Sequence, residues 1–142
     1  MHQTSMVLVI LVFLALTMSP MASSFPYSKR VHVYIVNDLG SGKILTIHCQ
    51  SKDDDLGVHS LDFEKVYTWS FKNIVYGETL FYCDLEWERS PGEKVTSHVD
   101  VYDGSKDIKL CGADCWRMVQ QEGIFALDPD NASVRKMGSW AN

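Results

Sequence analysis

The chain has 142 residues, 46% of them hydrophobic and 22% charged, with a formal net charge of −5. That acidic balance, with no basic block along the chain, excludes nucleic acid as the main partner. The length leaves no room for a second full domain once a leader is removed.

Met6 to Met18 is an almost unbroken apolar run without a charged side chain, too short to span a bilayer comfortably. Pro20 ends it, and the small residues Ala22 and Ser24 suit the narrow subsites of a signal peptidase. Residues 1–24 are therefore expected to be a signal peptide. The n-region carries only the terminal amine and His2, and an uncleaved anchor is the competing reading; no basic stop-transfer cluster follows directly. Residues 25–142, roughly 118 in number, form one expected domain, secreted and without stable membrane insertion. Lys29-Arg30 and Arg135-Lys136 are isolated basic pairs, read as solvated termini.

Strand signals then follow at short intervals. Val31, Val33 and Ile35 share one face of a first run, and Leu45, Ile47 and Cys49 one face of a second, with the glycines between them reading as a hairpin turn. Ser51 to Gly57, with three adjacent aspartates, does not space its acids at alternate positions as a calcium loop does, and reads as a solvated acidic turn. Val66 to Lys72 puts Tyr67, Trp69 and Phe71 together, and Asn73 to Gly77 leads into Leu80 to Trp87, where Phe81, Cys83, Leu85 and Trp87 alternate with polar residues, a second expected hairpin. Ser90-Pro91-Gly92 is a turn, His98 to Tyr102 a half-buried strand and Asp103-Gly104 another turn. Cys115 to Val119 and Gly123 to Leu127 form a last hairpin before the polar stretch Asp128 to Asn142. With helical periodicity nearly absent, the expected fold is all-β, an antiparallel β-sandwich of about seven or eight strands. The many strand aromatics read as core and cross-strand pairs ahead of a sugar-binding platform. Trp140, in the polar tail, either docks back on the domain or stays exposed.

Cys49, Cys83, Cys111 and Cys115 are an even set in a small exported chain and predict two disulfides. A zinc site competes weakly, because Cys111-x3-Cys115 lacks a paired CxxC partner. Four cysteines allow three pairings. A Cys111–Cys115 bond would close only a tiny loop, so each is expected to reach a distant strand, as Cys49–Cys115 with Cys83–Cys111.

No GxSxG, HExxH or catalytic-cysteine frame surrounds any Ser, His or Cys, so no catalytic residue, cofactor or metal is expected. His48 points away from the Cys49 face and reads as a partly exposed structural residue. Asp84 and Glu86 share a strand face at i, i+2, a spacing open to a glycoside hydrolase pair but common on strand exteriors. Asn131-Ala132-Ser133 is an N-glycosylation sequon in an exposed setting.

Taken in order, His48-Cys49-Gln50-Ser51-Lys52-Asp53-Asp54-Asp55-Leu56-Gly57, then Trp69-Ser70-Phe71, Thr79-Leu80-Phe81-Tyr82-Cys83, the Cys111-to-Trp116 element and Glu122-Gly123-Ile124-Phe125 carry a specific likeness. Together with Val31 to Leu39 they cover nearly all of the expected domain, which resembles the plant self-incompatibility protein family, the S-protein homologues first associated with pollen rejection in poppy. The resemblance implies a secreted, disulfide-linked β-sandwich acting as a ligand for a cell-surface receptor, in pollen–pistil recognition or in another signalling role. Loops on a fixed scaffold supply specificity. The candidate contact loops are Lys52 to His59, Glu88 to Thr96 and Asp103 to Lys109, with Lys52, Asp53, Asp54, Asp55, Glu88, Arg89, Glu93, Lys94, Asp103 and Lys106 as candidate contact residues, and the protein is expected to be a monomer. The alternative is a secreted carbohydrate-binding or carbohydrate-active cell-wall protein. A membrane-disrupting defence protein is disfavoured by the acidic charge and the lack of a basic amphipathic helix.

Overall fold

Alternation of apolar and polar residues organises the computed structural model, which describes residues 29–73, 79–129 and 132–142. The expected leader, Asn131 of the sequon and most of the expected Asn73–Gly77 turn lie outside these residues. Nine strands are present among the described residues: β1 (Arg30–Asn37), β2 (Leu45–Gln50), β3 (Asp55–Leu61), β4 (Val66–Lys72), β5 (Leu80–Ser90), β6 (Glu93–Asp103), β7 (Asp114–Gln120), β8 (Gly123–Asp128) and β9 (Ser133–Gly138), with one short helix, α1 (Gly104–Leu110), between β6 and β7.

The strands form two packed sheets, ordered β4-β1-β7-β8-β9 and β3-β2-β5-β6. Val31, Val33 and Ile35 on one side meet Leu45, Ile47, Leu85, Val95 and Val101 on the other, all with 1% exposure or less. Burying each such side chain contributes roughly 1.5–3 kcal/mol, which makes this inner layer the main source of stability. The expected all-β sandwich with two disulfides is what the chain forms.

Several local expectations are corrected. The glycine-bearing segment after β1 does not close a hairpin, because β1 and β2 lie in different sheets. Asn37, fully buried at the end of β1, explains the departure: its amide donates to the Lys43 and Leu61 carbonyls at 2.9 and 2.8 Å, and its Oδ1 accepts from Leu39 N–H at 3.0 Å. These bonds turn the chain over the end of the sandwich. β4 and β5 likewise belong to different sheets, so they form no hairpin either. The β7–β8 hairpin does form, with Gln120 opposite Gly123. There Gly123 is required, since a Cβ would stand 2.5 Å from the Gly138 carbonyl oxygen.

Not every pairing is antiparallel. β1 runs parallel to β7, His32 opposite Asp114 through Asn37 opposite Val119. The expected turn at Asp103-Gly104 is the start of α1, whose N-cap is Asp103. The acidic turn gives way to strand β3 from Asp55, and the polar tail contributes β9. Trp140 docks back: its Nε1–H donates to the Gln120 carbonyl at 2.8 Å, and its ring meets Trp87 edge-on at 5.8 Å. Beside it, Thr96 and Ala141 exchange two backbone hydrogen bonds, tying the chain end to β6.

The disulfide pairing also differs from expectation. Cys49 bonds to Cys83 and Cys111 to Cys115. Cys49 and Cys83 stand directly opposite each other on neighbouring strands β2 and β5, which register alone brings together. Cys111 is the C-cap of α1, and its turn delivers Cys115 into β7, so the local pair forms even though its loop constrains the unfolded chain little.

Candidate functional site

The candidate contact residues divide between the two ends of the sandwich. β5 and β6 run antiparallel from Leu80 opposite Asp103 to Ser90 opposite Glu93. The β2–β3 connection follows Gln50, which pairs with Tyr82, so Ser51–Asp54 and α1 lie at one end and Ser90–Gly92 at the other. At about 3.3 Å per residue along β5, the two ends stand roughly 26 Å apart. Lys52, Asp53, Asp54, Asp55, Asp103 and Lys106 lie at the helix end, on connections separated by the width of β5; Glu88, Arg89, Glu93 and Lys94 lie at the other. Most of the expected loop at 88–96 is strand, leaving only Ser90–Gly92 as its turn.

At the helix end the connecting segment is tightly held. Ser51 N–H donates to the Asp54 carbonyl at 2.7 Å, while its Oγ accepts from Asp54 N–H at 3.0 Å and Asp53 N–H at 3.3 Å. Lys52, Asp53 and Asp54 remain exposed. Asp55 accepts from Gly57 N–H at 2.9 Å and pairs with His48 at 2.7 Å, and those contacts, the backbone bond first, hold its carboxyl below the usual range. Gly57 adopts φ +77°, a conformation that favours glycine.

Asp103 caps α1, accepting from Ser105 Oγ–H at 2.6 Å and Ser105 N–H at 3.0 Å, with Lys106 Nζ at 3.1 Å. The Ser105 hydroxyl bond leads the causes that lower its pKa. Beneath the helix lies a charge pair that sequence reasoning missed. Arg117, fully buried, donates from Nε to the Val101 carbonyl at 2.7 Å and meets Asp107 Oδ1 at 3.2 Å, and Arg135 reaches the same oxygen at 3.2 Å. Burial pulls the Arg117 pKa down while the Asp107 charge opposes it. With the Cys111–Cys115 bond, this pair fastens α1 to β7. The signal was present in the alternation, which puts Arg117 on the inward face between Cys115 and Val119.

At the opposite end most of the candidate charges are paired with neighbours. Glu93 accepts from Ser90 Oγ–H at 2.7 Å and Arg89 Nη1–H at 3.0 Å, and these bonds, the serine's first, lower its pKa. Lys94 pairs with Glu86 at 2.8 Å, which raises the lysine's pKa. Lys43 donates to the Arg89 carbonyl at 2.8 Å and lies 5.6 Å from the Trp87 ring centroid, at the edge of an open groove of about 520 Å³. The Asp84 and Glu86 carboxylates of the glycosidase reading are each engaged by a base, His98 at 2.6 Å and Lys94 at 2.8 Å.

Comparison with known proteins identifies the family. Residues 32–140 match the model of plant self-incompatibility protein S1. S-protein homolog 5 of Arabidopsis thaliana is 33% identical over 102 residues, covering 72% of this chain and 74% of that protein. Self-incompatibility protein S1 of Papaver rhoeas is 28% identical over 122 residues, covering 86% and 84%. A solved structure of SPH proteins, described as a widespread family of small, highly stable, secreted proteins from plants, shares the fold with a TM-score of 0.60 at 23% identity over 81% of this chain and 97% of its own. On its matched sequence and its sandwich, the chain belongs to the plant self-incompatibility protein S1 family.

Proposed function

We propose that this protein is an exported ligand that binds a cell-surface receptor through the helix end of its sandwich. The observation that carries the reading is the pairing of exposure with anchorage there. Lys52, Asp53, Asp54 and Lys106 present charge to solvent, while Ser51, the Asp103 cap and the buried Asp107–Arg117 pair fix the backbone beneath them. Pre-ordered loops lose little entropy on binding, so their charged side chains contribute to affinity and partner choice. At the opposite end Arg89 pairs with Glu93 and Lys94 with Glu86, which leaves Glu88 as the one candidate charge there without an ion pair among the described residues, against Lys52, Asp53 and Asp54 at the helix end. The poppy relative's name makes pollen–pistil recognition the first setting to examine.

The test uses wall-free protoplasts of pollen and pistil tissue and fluorescently labelled protein starting at Phe25. Saturable binding is expected, and replacing residues 52–54 with Gly-Ser-Gly together with Lys106→Ser weakens it by about tenfold or more. An Arg89→Ser, Glu93→Ser protein keeps wild-type binding. Loss in the second variant with retention in the first would put the contact at the hairpin end instead.

A further inference from the structure

The outer face of the five-stranded sheet is built unlike the rest of the surface. In register across it stand Tyr34 on β1, Trp116 on β7, Leu127 on β8 and Val134 on β9. Tyr34 and Trp116 stack with ring centroids 4.1 Å apart and planes 7° apart. β7 lies between β1 and β8, so the other face of the indole turns toward β8, where it borders an apolar cleft of about 390 Å³. Trp116 is 37% exposed and Val134 63%. Apolar side chains standing in register across four strands and open to water fit a contact site.

Charge separates the two faces of the molecule. The outer strand positions of this sheet carry Arg30, Lys72 and Lys136 against the single acid Asp114. Those of the other sheet carry Asp55, Asp84, Glu86, Glu88 and Asp100 against Lys94. Arg30 and Lys72 are register partners at one corner, and Lys136, 6.0 Å from the Phe125 ring, stands at the diagonal corner beyond the aromatic row. Basic groups at both ends of an aromatic strip suit an extended, negatively charged chain. Thr68, Ser70 and Asp114 stand beside the rings, with Asp114 Oδ1 accepting from the Tyr34 hydroxyl at 3.1 Å. Such groups serve sugar hydroxyls and have no use for lipid tails.

We infer that this face binds an acidic polysaccharide of the polyuronate type, with a sugar ring against Trp116 and carboxylates at Arg30, Lys72 and Lys136. The inference shares with the receptor reading only the premise of export. The two surfaces are built from different residues and meet at one corner, where Asn73, next to Lys72, lies against Gly104 at the start of α1.

The probe is sodium polygalacturonate immobilised on a sensor, with fully methyl-esterified polygalacturonan and vesicles of phosphatidylserine and phosphatidylcholine in equal parts as comparisons. Wild-type protein is expected to bind the polygalacturonate, to be released by salt, and to bind the esterified polymer at least about tenfold more weakly. Trp116→Ala and a Lys72→Glu, Lys136→Glu double variant each lose about tenfold, with thermal melts establishing that they fold; the charge variant alters only exposed side chains and serves if the tryptophan variant does not. No binding to polygalacturonate, equal binding by the folded variants, or stronger retention on the vesicles would overturn the inference. Protoplast binding by helix-end variants is a separate readout, so either reading can fail alone.

Discussion

Tyr102 shows how one buried group sets a pH limit. Its side chain is fully buried, edge-on to Phe71 at 4.9 Å, and its hydroxyl has no hydrogen-bond partner among the described residues. Burial, helped by the nearby Asp107 charge, pushes its pKa up to about 12 from 10.0. In the unfolded chain the phenol ionises near 10, so its contribution is complete below that pH and is lost as pH rises toward 12. The loss amounts to roughly 2–3 kcal/mol by the top of that window. Tyr102→Phe is expected to be close to neutral at pH 7, since it removes a hydroxyl that nothing satisfies. Urea denaturation of both proteins at pH 7 and pH 11 checks this, and an equal loss of stability in the two at pH 11 would contradict it. Arg117 is the counterpart: a buried charge whose partner, Asp107, must stay with it.

At the scale of elements, the two disulfides are expected to differ in effect. Replacing Cys49 and Cys83 by alanine frees a cross-link of 34 residues and destabilises by about 4 kcal/mol, whereas replacing Cys111 and Cys115 releases a separation of 4 residues and destabilises by about 2 kcal/mol. Denaturation midpoints of the two double variants measure the order, and its reversal would mean that fastening α1 matters more than chain entropy. Strands whose residues alternate strictly, such as β1, β2 and β5, were legible in the sequence because period-two burial is a local property. Which sheet each strand joins is not local, and so both expected hairpins across the sheets were lost. β3 and β9 escaped notice because edge strands bury little: β3 buries only Leu61, and β9 carries Arg135 and Lys136. α1, with seven residues, is too short to display a helical period. Of the candidate site, the charged residues were legible but their division between two ends was not, since that depends on the length and direction of β5 and β6.

For the molecule as a whole, the sandwich separates three surfaces that the linear sequence interleaves: the helix end, the hairpin end and the basic aromatic face. A protein that uses any of them on a partner outside the cell must be exported, and the oxidising exterior then keeps its four cysteines in two disulfides. The most direct measurement is on the full 142-residue chain expressed in plant cells, with the extracellular fluid analysed by N-terminal sequencing and by alkylation without reductant. The expected result is protein in that fluid beginning at Phe25, with no alkylated cysteine and with Cys49 linked to Cys83. Protein held in the cytosol with residues 1–24 attached and four alkylated thiols would contradict it.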